Sequence, residues 1–204
     1  MATFETIIHR QQSSTPPFFE DITIQSIPVN DNKDELVNIN TANSSLVKML
    51  PAAALYPEDM EHSVGLPHSS FIRSGLFQRL EGAVQNLRIF TNRSKLVFMV
   101  VEGLRKRSES RDSDVNLHKA TGGCVSFRVF DEEIDEYVDM GDSEVLMFSK
   151  NLTPVQKQNR IHLLSACGIA GLVNYPYEWW TFCFGTRYFA YYTENKVAVY
   201  DNVL

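Results

Sequence analysis

The stretch from Lys95 to Glu102, reading Lys-Leu-Val-Phe-Met-Val-Val-Glu, constrains the fold of this chain more than any other. It is an unbroken apolar run, rich in β-branched residues, with a charged residue at each end. Successive side chains of a strand point to opposite faces, so a strand that is apolar at every position must be covered on both. The run therefore predicts a strand in the middle of a sheet, ended by Gly103. A helix able to cover one face precedes it: Ile72, Leu76, Leu80, Val84 and Leu87 recur at helical spacing after Ser69 and Ser70. At 204 residues and 44% hydrophobic, the chain can bury one core and is too short for two comfortable domains.

The remaining elements are read from local chemistry. Gln11, Gln12, Ser13, Ser14, Thr15, Pro16 and Pro17 have linker character, so residues 1–20 are expected to form a flexible arm and 21–204 the domain. Between Ile22 and Leu36, short apolar pieces broken by Pro28 predict strand, turn, strand. The charged stretch from Arg105 to Lys119 reads as a solvated loop. Strands are expected near Cys124 to Phe130 and around Val138. Thr153-Pro154-Val155-Gln156 is a capping box with proline at the first helical position, starting a helix that runs to Cys167, with Gly168 in the left-handed turn after it. Phe182 to Tyr192 and Val197 to Tyr200, around Thr193 to Lys196, read as a hairpin. Two main helices and at least five strands give an α+β domain with a mostly antiparallel sheet.

Composition narrows the partners. The formal charge of -6 is spread along the chain, and no basic stripe with interleaved aromatics is present, which argues against nucleic acid. No run approaches the about 18 apolar residues that span a bilayer, and Met1 to Ile8 lacks the pattern of a secretory leader. A cytoplasmic setting without membrane contact is expected. Cys124, Cys167 and Cys183 are an odd number without metal-type spacing and lie among apolar residues, so they read as reduced, packed thiols.

The segment with the most chemistry is Asn174-Tyr175-Pro176-Tyr177-Glu178-Trp179-Trp180-Thr181, followed by Phe184-Gly185-Thr186-Arg187-Tyr188-Phe189-Ala190. It resembles the C-terminal signature of the D-alanyl-D-alanine dipeptidases, a family of zinc peptidases in which Glu-Trp-Trp-His supplies the general base and the last zinc-binding histidine. Thr181 stands at the histidine position. Thr121-Gly122-Gly123-Cys124-Val125-Ser126, with Asp139-Met140-Gly141 after it, is similar to the family's zinc motif and the turn that follows. Aligned on the glycines, the motif's histidine falls on Lys119 and its aspartate on Ser126, while His118 is one residue out of register. Glu102-Gly103-Leu104-Arg105 is similar to the family's Gly-Tyr-Arg, whose arginine lies beside the substrate. The resemblance thus implies a fold like that of the zinc DD-peptidases.

It also implies a changed chemistry. A catalytic zinc takes three protein ligands and lowers the pKa of its bound water to about 7, and Lys119, Ser126 and Thr181 offer an amine and two alcohols instead. No metal and no other cofactor is expected. Glu178, set between Pro176 and two tryptophans, can still exchange protons without a metal. Lys119 could supply the charge of the absent cation, and Arg105 could grip a carboxylate or carbonyl with its forked donors. Ser126, Thr181, His118, Trp180 and Arg187 complete the expected substrate site. The leading expectation is a metal-independent enzyme that reuses a dipeptidase-like pocket for isomerisation, dehydration or cyclisation of a small amino-acid- or amide-derived metabolite. Specialised metabolism is its natural setting, by analogy with how folds are reused. The alternatives are a non-catalytic pseudopeptidase binding a small ligand or protein partner, with Glu178 and Lys119 as a structural ion pair, and a dipeptidase with improvised metal ligands.

Overall fold

The computed structural model of the chain describes residues 2–13, 15–51, 68–105 and 119–203. The apolar run is a strand, β4 (Leu96–Glu102), and it lies inside a six-stranded sheet. Its neighbours are β2 (Val47–Met49), which runs parallel to it, and β5 (Cys124–Asp131), which runs antiparallel. Beyond β5 come β8 (Thr181–Cys183) and β7 (Val173–Asn174), both antiparallel, and β6 (Glu136–Tyr137) pairs with the far end of β5. A separate two-stranded sheet joins β1 (Leu36–Asn38) to β3 (Phe71–Arg73). The domain is α+β with a mixed, mostly antiparallel sheet.

Two long helices cover one face of the sheet. Leu76, Leu80, Val84 and Leu87 of α3 (Ser74–Thr91) and Leu163, Leu164 and Cys167 of α4 (Pro154–Ile169) pack on Phe98, Val100, Val125, Phe127 and Phe182. Leu76, Leu80 and Val84 are fully buried; removing one of these side chains down to alanine typically costs about 2 to 5 kcal/mol. The helix begins four or five residues later than the serines suggested, because Ile72 belongs to β3. Asp34, reaching in from a distant loop, accepts hydrogen bonds from the Ser74 hydroxyl and the Gly75 amide at the helix start. Helix α4 opens with the capping box read from its sequence. Gly168 lies within α4, and the left-handed residue after it is Gly171. A side-chain carbon at Gly168 would stand inside the ring of Phe4, so this glycine admits an aromatic ring from the N-terminal segment.

That segment differs from the expected arm. Residues Phe4–Ser13 form helix α1, which buries Ile7 and Gln11. The Ile22 to Leu36 region also departs from strand, turn, strand: Asp21 caps a short helix, α2 (Ile22–Gln25), and only β1 is extended. The C-terminal hairpin is replaced by β8 and a helix, α5 (Arg187–Thr193), because the Thr186 hydroxyl accepts from the Phe189 amide and caps that helix. Local capping outweighed β propensity in both places. Most of the expected loop between Arg105 and Lys119 lies outside the described residues. Its two ends are buried rather than solvated.

Cys124 and Cys183 form a disulfide across the β5–β8 pair, with Cα atoms 4.1 Å apart. This corrects the expectation of three reduced thiols: only Cys167 is free, and burial pushes its thiol pKa up. Cross-strand partners 59 positions apart cannot be paired from spacing alone. Disulfides persist in oxidising surroundings, so the cysteines no longer support a reducing one. Among the described residues no helix is long and apolar enough to cross a membrane.

The Asp34 cluster makes a pH-dependent contribution. Burial by itself would raise the Asp34 carboxyl, but hydrogen bonds from Ser74, Tyr200 and the Gly75 amide, with Arg73 nearby, hold it below its ordinary value of 3.8. A depressed carboxyl stabilises the fold above its unfolded-state pKa, and that stabilisation is lost as pH falls through the folded-state value. Urea melts between about pH 5 and pH 2 should therefore show a stability loss that is smaller in Asp34→Asn. An identical pH slope in the variant would remove Asp34 from this role.

Candidate active site

The sheet's second face carries a polar row. Glu102 of β4 is registered with Ser126 of β5, and Ser126 with Thr181 of β8. Directly opposed residues of antiparallel strands project to the same side, so the three functional groups line up across three strands. A β-bulge makes this possible: Val100 pairs with Phe127, yet Glu102 pairs with Ser126, leaving Val101 extra. Without it, Val101 would stand opposite Ser126 and the carboxylate would point to the helix-covered face.

One half of the row is a hydrogen-bonded line. Thr181 Oγ1 donates to Glu178 Oε2 at 2.6 Å, and Ser126 Oγ lies 2.8 Å from Thr181 Oγ1. A threonine hydroxyl has one proton. Because that proton goes to Glu178, Ser126 must be the donor to Thr181. If Glu178 becomes protonated, the same line can run in reverse. Thr181 and Ser126 are buried, whereas Glu178 is half-buried and reaches the accessible end.

The other half is an ionic cluster. Glu102, 1% exposed, receives Lys119 Nζ on Oε2 and the Arg105 guanidinium on Oε1. Lys119 lies in a 3-10 turn (Lys119–Thr121) leading into β5. Arg105 turns back toward Glu102 because the Gly103 amide bonds the Ser69 carbonyl and the Leu104 amide bonds that of Phe71. A side-chain carbon at Gly103 would come 2.5 Å from the Phe71 carbonyl oxygen, so this close crossing requires glycine.

Glu178 sits on a turn held from several sides. Its amide donates to the Tyr175 carbonyl and its carbonyl accepts from the Thr181 amide. Asn174 Nδ2 donates to the carbonyls of Trp179 and Thr181 at 3.3 and 3.0 Å. From outside, Gln11 Nε2 donates to the Asn174 carbonyl at 2.8 Å, and the Met147 amide to that of Pro176 at 2.8 Å. Buried Trp179 is braced by Arg160, whose guanidinium carbon lies 5.1 Å from its ring centre. The buried Tyr175 hydroxyl has its pKa raised, first by desolvation and then by the Glu178 charge beside it.

Several expected residues are thus brought together, though not always in the expected pairing. Ser126, Thr181 and Glu178 form one line; Arg105 and Lys119 meet on Glu102. The ion pair expected between Lys119 and Glu178 is not made, because Glu102 is the nearer carboxylate that the bulge turns toward Lys119. Trp180 is half-buried and packs with Leu50, Met99, Val101 and Tyr137 into an apolar patch on the same face. Arg187 Nε donates to the Ile27 carbonyl at 2.8 Å and ties α5 to the N-terminal region, outside the row. His118 lies outside the described residues. Sequence reasoning missed Glu102 as a site residue, although an acid closing a wholly apolar strand is a signal that it needs a buried partner.

Among the described residues, no three His, Cys, Asp or Glu side chains stand together as a group able to hold a metal ion. No protein-family model matches the sequence, and comparison with curated proteins finds no match.

Proposed function

We propose that this chain is an enzyme that uses Glu178 as a metal-independent proton carrier on a small amino-acid- or amide-derived metabolite. The observation that carries this reading is the line Ser126–Thr181–Glu178, which joins a half-buried carboxylate to two buried hydroxyls. A carboxylate so held can take a proton from a substrate carbon or nitrogen and return it to another atom, the balance needed for isomerisation, dehydration or cyclisation. The hydroxyls orient it. The Trp180 and Tyr137 patch on the same face of the sheet offers an apolar wall to a substrate side chain, while Lys119 and Arg105 place positive charge at the Glu102 end of the row. The same geometry is compatible with a pocket derived from a DD-dipeptidase, in which Lys119, Ser126 and Thr181 replaced the metal ligands. We place its activity in specialised metabolism and in a soluble, non-membrane setting.

One observation favours the rival reading of a non-catalytic binder: Lys119, Arg105 and Glu102 engage one another, as groups filling a vacated site would. The test is mass detection of products from a panel of dipeptides, amino-acid amides and N-acylamino acids, with and without chelator. Chelator-insensitive conversion is expected, falling at least about a hundredfold in Glu178→Gln with ligand affinity kept. Binding without conversion of any compound favours the pseudopeptidase. Chelator-sensitive cleavage of D-alanyl-D-alanine by protein carrying stoichiometric zinc would overturn the proposal.

A further inference from the structure

Helix α1 is held to the rest of the domain by few anchors. A helix of ten residues does not persist by itself in water, where even about 12 to 15 residues are marginal. Its order therefore comes from docking. Of its described side chains only Ile7 and Gln11 are buried, and the main core cluster beneath α3 and α4 contains no buried residue of α1. Phe4 fits the notch left by Gly168 on α4, and Arg10 lies over the Tyr191 and Tyr192 rings at 5.1 and 5.5 Å. Between these anchors the fit is incomplete: a cavity of about 480 Å³ opens between α1 and α4, with Phe4, Ile8, Ile161 and Leu164 among its walls. Close-packed interiors rarely contain spaces larger than a water molecule. Few buried contacts and an underfilled interface mark an element that opens at a lower free energy than the whole domain.

The same helix is bonded to the segment that carries Glu178. β7 is an edge strand of the six-stranded sheet, and Gln11 Nε2 donates to its Asn174 carbonyl at 2.8 Å. Asn174 Nδ2 in turn grips the carbonyls of Trp179 and Thr181, so a displaced Asn174 moves the residues that follow Glu178. Beyond α1 the chain meets the turn again, where Tyr177 Oη donates to the Pro16 carbonyl at 2.6 Å and its ring stacks on Phe18. We infer that α1 is a detachable positioning arm for the Glu178 turn: docked, it fixes Asn174 through Gln11, and undocked, it loosens the turn while the sheet stays folded. The arm acts on the geometry of the turn whatever reaction Glu178 serves, so its test needs no substrate.

Hydrogen exchange of the full chain, read by mass spectrometry, supplies that test. Residues 4–13 should exchange well before β4 and β5. In Gly168→Ala the added carbon would stand 2.0 Å from two ring atoms of Phe4, so Phe4 must leave its notch. Alanine is the better helix former, so α4 itself does not suffer. Exchange at 4–13 and at 174–181 should then rise at least about tenfold, with β4 and β5 unchanged. Phe4→Ala, which empties the notch instead of filling it, should do the same. Trp179 and Trp180 are the two tryptophans of the chain and both lie in the turn, so their emission should shift in each variant. Gln11→Met nearly keeps the volume and removes the donor, and should speed exchange at 174–181. Unchanged exchange of residues 4–13 in Gly168→Ala and Phe4→Ala would overturn detachment. Faster exchange there, with 174–181 and the emission unmoved, would sever the arm from the turn. An unmoved turn in Gln11→Met would remove Gln11 as the link. Acceleration throughout, β4 and β5 included, would mean general destabilisation and refute a separate arm.

Discussion

Replacing Glu102 by glutamine is expected to lower stability by about 3 to 5 kcal/mol, the usual cost of removing one partner from a buried ion pair. Glu102 is 1% exposed and the Lys119 side chain 7%, so neither charge can turn to water without moving the sheet. Glutamine keeps the size and one acceptor oxygen but removes the charge on which Lys119 and Arg105 converge. Denaturant melts measure the effect. The informative companion is Glu102→Gln combined with Lys119→Met, which removes the stranded ammonium as well. If the pair is coupled as described, the double variant recovers part of the loss of the single one. Strictly additive losses would show that the two groups do not depend on each other.

The second large effect concerns the β5–β8 bridge. A disulfide joining residues 59 apart restricts the unfolded chain by about 4 kcal/mol on the chain-entropy relation. Cys124→Ala with Cys183→Ala should therefore lose about that much, roughly a 10 °C fall in midpoint for a chain of this size. Both sulfurs are fully buried, so reductant should act on the native protein slowly and on the denatured protein at once. Alkylation under denaturing, non-reducing conditions should label Cys167 alone. Three labelled cysteines in freshly isolated protein would refute the bridge.

The parts of the fold governed by periodicity are legible in the sequence. β4, β5, the apolar stripe of α3 and the capping box of α4 are each set by residues within a few positions of one another. What escaped was decided at long range. The helix at 4–13 depends on Phe4 settling against Gly168 and Gln11 reaching Asn174, neither of which its own polar sequence announces. The disulfide depends on strand register. Of the candidate site, the resemblance singles out Glu178, Thr181 and Ser126, and strand register brings these three side chains into hydrogen-bond contact. The placement of Glu102 is not legible in the sequence, because it arises from a bulge, and an insertion of one residue into a strand pair leaves no mark on hydropathy.

β8 spans only three residues, and side chains on a strand alternate with a period of two. If it slid by one position against β5, Phe182 would meet Ser126 and Thr181 would be driven among Phe98 and Phe127. Such a slip would strand a hydroxyl in oil and an aromatic ring among charges in a single motion. The apolar layer beneath α3 and α4 thus acts as a proofreader for the opposite surface. Phase errors that would scramble the acidic and hydroxylic groups are rejected by packing, without those groups having to enforce their own alignment.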